Sequence, residues 1–164
     1  IPLRLVGSEM CIRDSSMTGF YNRNAYDYFI YNEKNIKNYM VVTFDLNNLK
    51  MCNDNYGHSS GDAYIIHSAH IIETTFDRFG KCYRIGGDEF CCLIPDAAEF
   101  QIERFIQKMQ QDIAILNNKN IIPTEVGIAC GYALATPDDA DIEKVRERAD
   151  EMMYHNKKVL KGLI

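Results

Sequence analysis

Two short strand-like runs, Lys81 to Ile85 and Glu89 to Ile94, are joined across Gly86-Gly87-Asp88, and this constrains the chain more than any other feature. Apolar runs separated by so brief a glycine-bearing turn read as an antiparallel hairpin. One strand-helix unit stands on each side of it. Upstream, Tyr39 to Leu46 (YMVVTFDL) is a buried strand with an acid near its end, and Ile65, Ile66, Ala69, Ile72 and Phe76 then recur at helical spacing. Downstream, Ile102, Phe105, Ile106, Met109, Ile113 and Leu116 share one helix face, and a strand covers Glu125 to Ala135. In that strand Val126, Ile128, Cys130, Tyr132 and Leu134 alternate with Gly127, Ala129, Gly131 and Ala133, so one face is bulky and the other small.

The order strand, helix, strand, strand, helix, strand predicts an α+β domain of ferredoxin-like, palm-like form. Its central antiparallel sheet is flanked by helices, expected on one face, and a C-terminal helix follows the core. Asp141 is placed to cap that helix, whose stripe is Ile142, Val145, Ala149, Met152 or Met153, and Val159 or Leu160. A first helix is expected from about Arg23 to Lys37, and Asn47 to Ser60 as a loop with room for a short helix. Asp96 and Glu99 stand three apart, as in a capping box ahead of the Ile102 run. Residues 1–13 show no periodicity and are set apart as a linker or non-native segment, which leaves 14–164 as one domain with one core.

Charge narrows the partners. With 23 acidic against 18 basic side chains the net charge is -5, a surface that repels nucleic-acid backbones, so no nucleic-acid polymer is expected. The apolar stretches are too short to span a bilayer, so no direct membrane insertion of this segment is expected. A cytoplasmic setting follows as the default, with a membrane-attached parent protein left open. The six cysteines include no CxxC pair and are expected reduced and buried, with Cys91 and Cys92 on opposite faces of their strand. His67 and His70, three apart on a helix, come with no third ligand, so no zinc site is expected there. For His58 a loop-ordering hydrogen bond is preferred to catalysis.

The acids carry the chemistry. Asp45 closes the first strand, and Asp88-Glu89 follow the hairpin glycines. In a ferredoxin-like sheet the first strand neighbours the hairpin, so these carboxylates converge at one edge. Acids brought together repel unless a cation lies between them, and Mg²⁺ (or Mn²⁺) suits hard oxygen ligands. Gly86 and Gly87 remove side chains where a triphosphate would approach the backbone.

The run Arg84-Ile85-Gly86-Gly87-Asp88-Glu89-Phe90 contains the GGDEF signature of diguanylate cyclases, and three further blocks resemble that family. Asp14 to Arg23 (DSSMTGFYNR) looks like its opening element. Phe44 to Lys50 (FDLNNLK), with Asn53-Asp54, Gly57-His58 and Gly61-Asp62, looks like its nucleotide-binding block. Ala149-Asp150, Met153-Tyr154 and Lys157 look like its last helix. The resemblance implies condensation of two GTP into cyclic di-GMP and two pyrophosphates by attack of a 3′-hydroxyl on an α-phosphate, in a transient or parent-driven homodimer. It implies Asp45, Asp88, Glu89 and the Leu46 carbonyl as metal ligands, with Glu89 also helping to activate the hydroxyl. Asn53 and Asp62 are implied as guanine readers, and Lys157 and Lys161 as phosphate contacts. Lys50 is either a further phosphate contact or a surface residue. Asn47 stands where the family usually has an acid, and Leu49 replaces a common Phe. The family's inhibitory R-x-x-D element falls on Asp77 and Gly80, so that product site is expected to be missing. A domain that binds GTP without turning it over remains the alternative.

Overall fold

Met40–Asn47 (β1) is buried along its whole length, the polar Thr43, Asp45 and Asn47 included. A strand of this kind needs a neighbour on each edge and a layer on each face. The computed structural model, which describes residues 17–164, supplies both. Residues 1–13, Cys11 and the Asp14 to Ser16 part of the opening motif lie outside the described residues.

Antiparallel to β1 run Glu89–Ile94 (β3) on one edge and Gly127–Leu134 (β4) on the other. Lys81–Arg84 (β2) pairs with β3, giving the sheet order β2-β3-β1-β4 expected of a ferredoxin-like sheet. The helices are Arg23–Asn32 (α1), Leu49–Tyr56 (α2), His58–Phe76 (α3), Ile102–Asn118 (α4) and Ile142–Leu160 (α5).

Helices cover both faces of the sheet, not one. On the first face Val42, Phe44, Leu46, Cys92 and Ile128 meet Ile65, Ile72 and Phe76 of α3 and Met109 of α4. On the second, Val41, Tyr83, Cys91, Leu93 and Ala133 meet Ala25 and Tyr26 of α1 and Ile142, Val145 and Ala149 of α5. Burial of every β1 residue on both faces depends on this double cover. Cys91 and Cys92 fall on opposite faces as expected.

The small face of β4 exists so that a helix backbone can come close. A Cβ added to Gly131 would lie 2.2 Å from both the Ala149 carbonyl oxygen and the Met153 nitrogen. Helix α5 therefore rests on this strand, and its N-terminus is capped by Asp141, whose side chain accepts from the Lys144 N–H at 3.1 Å.

Two local expectations, the end of α1 and the capping box, are corrected, and the short helix allowed for within Asn47 to Ser60 is present. Helix α1 ends at Asn32, because Glu33 is extended and the Asn- and Lys-rich run after it offers no apolar stripe. The polar stretch Asn47 to Ser60 is mostly helical: α2 fills its middle, and Gly57 at φ 85° breaks α2 from α3. Asp96 sits in a left-handed turn at φ 50°, and α4 starts at Ile102 after Gln101 with no side-chain cap, so Asp96 and Glu99 form no capping box.

Both sheet edges are occupied. Tyr21 donates its N–H to the Cys82 carbonyl (3.2 Å) and accepts from the Arg84 N–H (2.8 Å), covering β2. Along β4, Cys130 N–H donates to the Asn156 side chain and Arg148 donates to the Leu134 carbonyl, both at 3.0 Å.

The close approach at Gly131 generates a prediction. Gly131→Val forces α5 off the sheet and lowers unfolding free energy by roughly 2–4 kcal/mol. Urea denaturation checks this, and an unchanged midpoint would mean that α5 does not rest on this glycine.

Candidate active site

The acidic end of the sheet is assembled by strand register. Asp45 of β1 lies opposite Glu89 of β3, and the Leu46 N–H donates to the Asp88 carbonyl at 3.0 Å just beyond that pair. The turn between β2 and β3 is fixed from inside: Ile85 N–H donates to the Glu89 carbonyl at 3.0 Å, and Arg84 Nη2 to the Gly87 carbonyl at 2.9 Å. Neither Gly86 nor Gly87 takes a left-handed backbone. A Cβ on Gly86 would stand 3.0 Å from Glu89 Oε2, while one on Gly87 would meet nothing within 4 Å, which leaves the tip of the turn open.

Asp45, Asp88 and Glu89 each offer an oxygen, all within 4.8 Å of one another. Asp45 is 7% exposed, Asp88 half-buried and Glu89 exposed. Lys157, near the end of α5, donates to Asp45 Oδ1 at 2.6 Å. One ammonium against three carboxylates leaves net negative charge, and the donor set is all hard oxygen, a combination that fits a divalent cation such as Mg²⁺ or Mn²⁺. In a β-strand the N–H and C=O of one residue point the same way, so the Leu46 carbonyl also faces the Asp88 side.

A cleft of about 510 Å³ opens here, with Leu46, Lys50, Asp54, Asp88, Lys157 and Lys161 in its walls. Lys157 and Lys161 are one helical turn apart and share a face. Asn53 turns the other way, toward α3: its Oδ1 lies 1.8 Å from where a Cβ of Gly61 would sit, so only glycine allows this approach. That contact brings Asn53 beside the residue preceding Asp62, which is exposed. The sequence-derived residues thus divide into Asp88, Lys50, Lys157 and Lys161 in the cleft wall with Asp45 and Glu89 beside Asp88, and an Asn53–Asp62 group turned toward α3.

Sequence reasoning missed several contributors. Asp54 lines the cleft four residues after Lys50, a helix-face spacing hidden when the segment reads as a loop. Arg84 as the brace of the turn has no sequence signal. Tyr64, buried on α3, donates its hydroxyl to the Asn47 carbonyl (2.6 Å) and accepts from the Gly127 N–H (2.7 Å), tying β1 to β4 where β1 runs out. Asn47 itself is 5% exposed and lies against Gly127, where a carboxylate would be a buried charge.

Other expectations divide. Asp150 is a network residue: it pairs with Arg146 (3.2 Å), which also pairs with Glu143 (3.0 Å), and Glu143 accepts from Tyr26 of α1 at 2.5 Å. Tyr154 is exposed, with Lys158 above its ring, and packs less than expected. His58 is the exposed first residue of α3. His67 and His70 share a shallow cavity with Asp112, which is paired to Lys108. Among the described residues, Asp45, Asp88 and Glu89 are the group placed to hold a metal.

Comparison with known proteins gives consistent matches. Residues 13–161 match the family model described as "Diguanylate cyclase, GGDEF domain". Over 147 residues the chain is 30% identical to diguanylate cyclase DgcN of Escherichia coli, covering 86% of this chain and 36% of that protein. Over 151 residues it is 26% identical to diguanylate cyclase DgcS of Shewanella oneidensis, covering 87% and 48% respectively. The chain thus spans less than half the length of these curated relatives. The fold resembles the coiled coil and GGDEF domain of DgcB from Caulobacter crescentus, solved in complex with c-di-GMP. There the TM-score is 0.80 at 22% identity, covering 93% of this chain and 84% of that one. Among the described residues no helix is long and apolar enough to cross a membrane.

The Tyr64 brace is testable. Tyr64→Phe leaves the Gly127 N–H and the Asn47 carbonyl without that partner and costs about 1–3 kcal/mol. Burial pushes the Tyr64 hydroxyl up from 10.0 to about 12, so its contribution is complete below pH 10 and lost as pH rises toward 12. The stability gap between wild type and variant, measured by denaturation across that window, should narrow. A gap constant through it would refute the assignment.

Proposed function

The chain belongs to the diguanylate cyclase GGDEF-domain family, and from that premise we propose that it condenses two GTP into cyclic di-GMP with release of two pyrophosphates. The observation that carries this reading is the convergence of Asp45, Asp88 and Glu89 within 4.8 Å beside a cleft walled by Lys50, Lys157 and Lys161. Asp45, Asp88, Glu89 and the Leu46 carbonyl would hold the metal, which when bound would supply positive charge against the transferring phosphoryl group and the attacking hydroxyl.

The chain's own residues do the rest. Lys157 and Lys161 from one wall and Lys50 from the other neutralise the triphosphate. The open tip at Gly87 lets phosphate oxygens reach backbone N–H groups. Glu89, exposed at the start of β3, is the carboxylate placed to receive the proton of the 3′-hydroxyl. Asn53 and Asp62 read the base: a carboxylate accepts the paired N1–H and N2–H₂ of guanine, whereas adenine turns an acceptor nitrogen toward it. Each cleft takes one GTP, so a second copy of the domain, facing the first, supplies the other hydroxyl.

Incubation of concentrated protein with GTP and Mg²⁺ or Mn²⁺ tests the reading. Cyclic di-GMP is the expected product, with far less turnover of ATP, and Asp88→Asn should lower the rate by about 100-fold or more. Asp62→Ser should erode the preference for guanine. Binding of GTP with no turnover at any protein concentration would instead favour a regulatory GTP-binding domain, and no GTP binding would exclude both.

Product feedback is expected to be missing at the family's R-x-x-D position. Asp77 ends α3 where that element has Arg, and at Gly80 a Cβ would stand 2.2 Å from the Leu93 carbonyl oxygen, so the backbone as folded admits no Asp there. Titrating cyclic di-GMP into initial-rate assays at several GTP concentrations should show competition at most. Tight noncompetitive inhibition would overturn this.

A further inference from the structure

Cys82 of β2 and Cys92 of β3 are direct cross-strand partners, and their sulfurs lie 3.2 Å apart on the same face of the sheet. The hydrogen bonds determine what kind of pair this is. Cys82 and Arg84 turn their backbone groups outward to Tyr21, while Ile85 bonds inward to Glu89. Alternation along β2 therefore makes Lys81 and Tyr83 its inward-bonding residues and Cys82–Cys92 a non-hydrogen-bonded pair. Such pairs bring Cα atoms to about 4.5 Å, inside the range of about 4.4–6.8 Å that a disulfide requires. From the present contact the sulfurs need to close by roughly 1 Å to reach a bond length of about 2.05 Å. Neither strand has to change register.

We propose that Cys82 and Cys92 form an oxidation site that closes to an intrachain disulfide by exchange with a small-molecule disulfide. Geometry carries this inference, which stands whether or not the chain makes cyclic di-GMP. In the first step one protein thiolate, Cys82 at 4% exposure on the edge strand, attacks a sulfur of the small disulfide and expels one thiolate. In the second, the Cys92 thiolate attacks Cys82 Sγ and expels the other. The protein loses two hydrogens and gains one S–S bond, and the small disulfide is reduced to two thiols.

The remaining described cysteines lack this arrangement. Cys91 points to the opposite face, and Cys52 and Cys130 lie on other elements. Burial and the contact with Cys82 push the Cys92 thiol well up, so the closed sheet holds it protonated. Exchange consequently proceeds through opening of the short edge strand β2. The bond spans the Gly86 to Glu89 turn and staples the hairpin on which Asp88 and Glu89 sit.

The experiment uses oxidised glutathione on the full chain, first in buffer and then in urea below the unfolding transition, followed by alkylation and non-reducing peptide mapping. The expected product is a single Cys82–Cys92 link, formed faster as urea opens the edge. Cys82→Ser and Cys92→Ser should each prevent it, and Cys91→Ala should leave it. The oxidised protein should show a higher urea midpoint that falls back on reduction. Links to Cys91, Cys52 or Cys130, stable glutathione adducts without closure, or no link at any sub-denaturing urea concentration would each overturn the proposal. If either serine variant fails to fold, mapping of the wild-type link and its reversal by dithiothreitol still decides the outcome.

Discussion

Helix α5 reaches the acidic centre because β4 presents almost nothing between the helix and the sheet. At Gly131 the strand comes so near the backbone of Ala149 and Met153 that even a methyl group has no room. Van der Waals contact at backbone range fixes the height of the helix above the sheet, and dense packing leaves little tolerance for drift. One turn beyond Met153, the helix delivers Lys157 to Asp45. A carboxylate as buried as Asp45 is costly without a partner, so the ion pair and the helix packing support each other.

The same helix is tied to the opposite end of the chain. Arg146 and Glu143 link it to Tyr26 on α1, and Asp150 extends the pairing along α5. A displacement of α1 is therefore felt by the element that carries Lys157. The opposite wall of the cleft is built differently: α2 is two turns long, begins after the left-handed Asn48 and ends at the positive-φ Gly57, so its position depends on turn geometry and on Asn53 nesting over Gly61. Leu49 and Cys52 add core packing to those turns, so this wall is held by both.

How much of this was legible in the sequence depended on which physical signal each part carries. The sheet order follows from the hairpin between two strand-helix units, and the meeting of Asp45 with Glu89 follows from that order. The alternation of small and large residues in β4 was legible too, although its reason, the approach of α5, is a tertiary fact. Helix α2 was legible only as room for a short helix, without bounds, because a short, polar helix has little apolar periodicity to read. The placement of helices on both faces was not legible in β1, where Thr43, Asp45 and Asn47 alternate with Val42, Phe44 and Leu46 as in a strand with one polar face. Arg84 and Tyr64 were illegible, as each acts through backbone groups brought close only by folding.

The two occupied edges of the sheet have a further consequence. The Tyr21 backbone lies along β2, and side chains of Asn156 and Arg148 hold backbone groups of β4, so neither margin presents a free row of donors and acceptors. Another polypeptide cannot readily lengthen this sheet by laying a strand beside it. Contact with a second copy of the domain would therefore have to use side chains of helices and turns, leaving the hydrogen bonds of the sheet undisturbed.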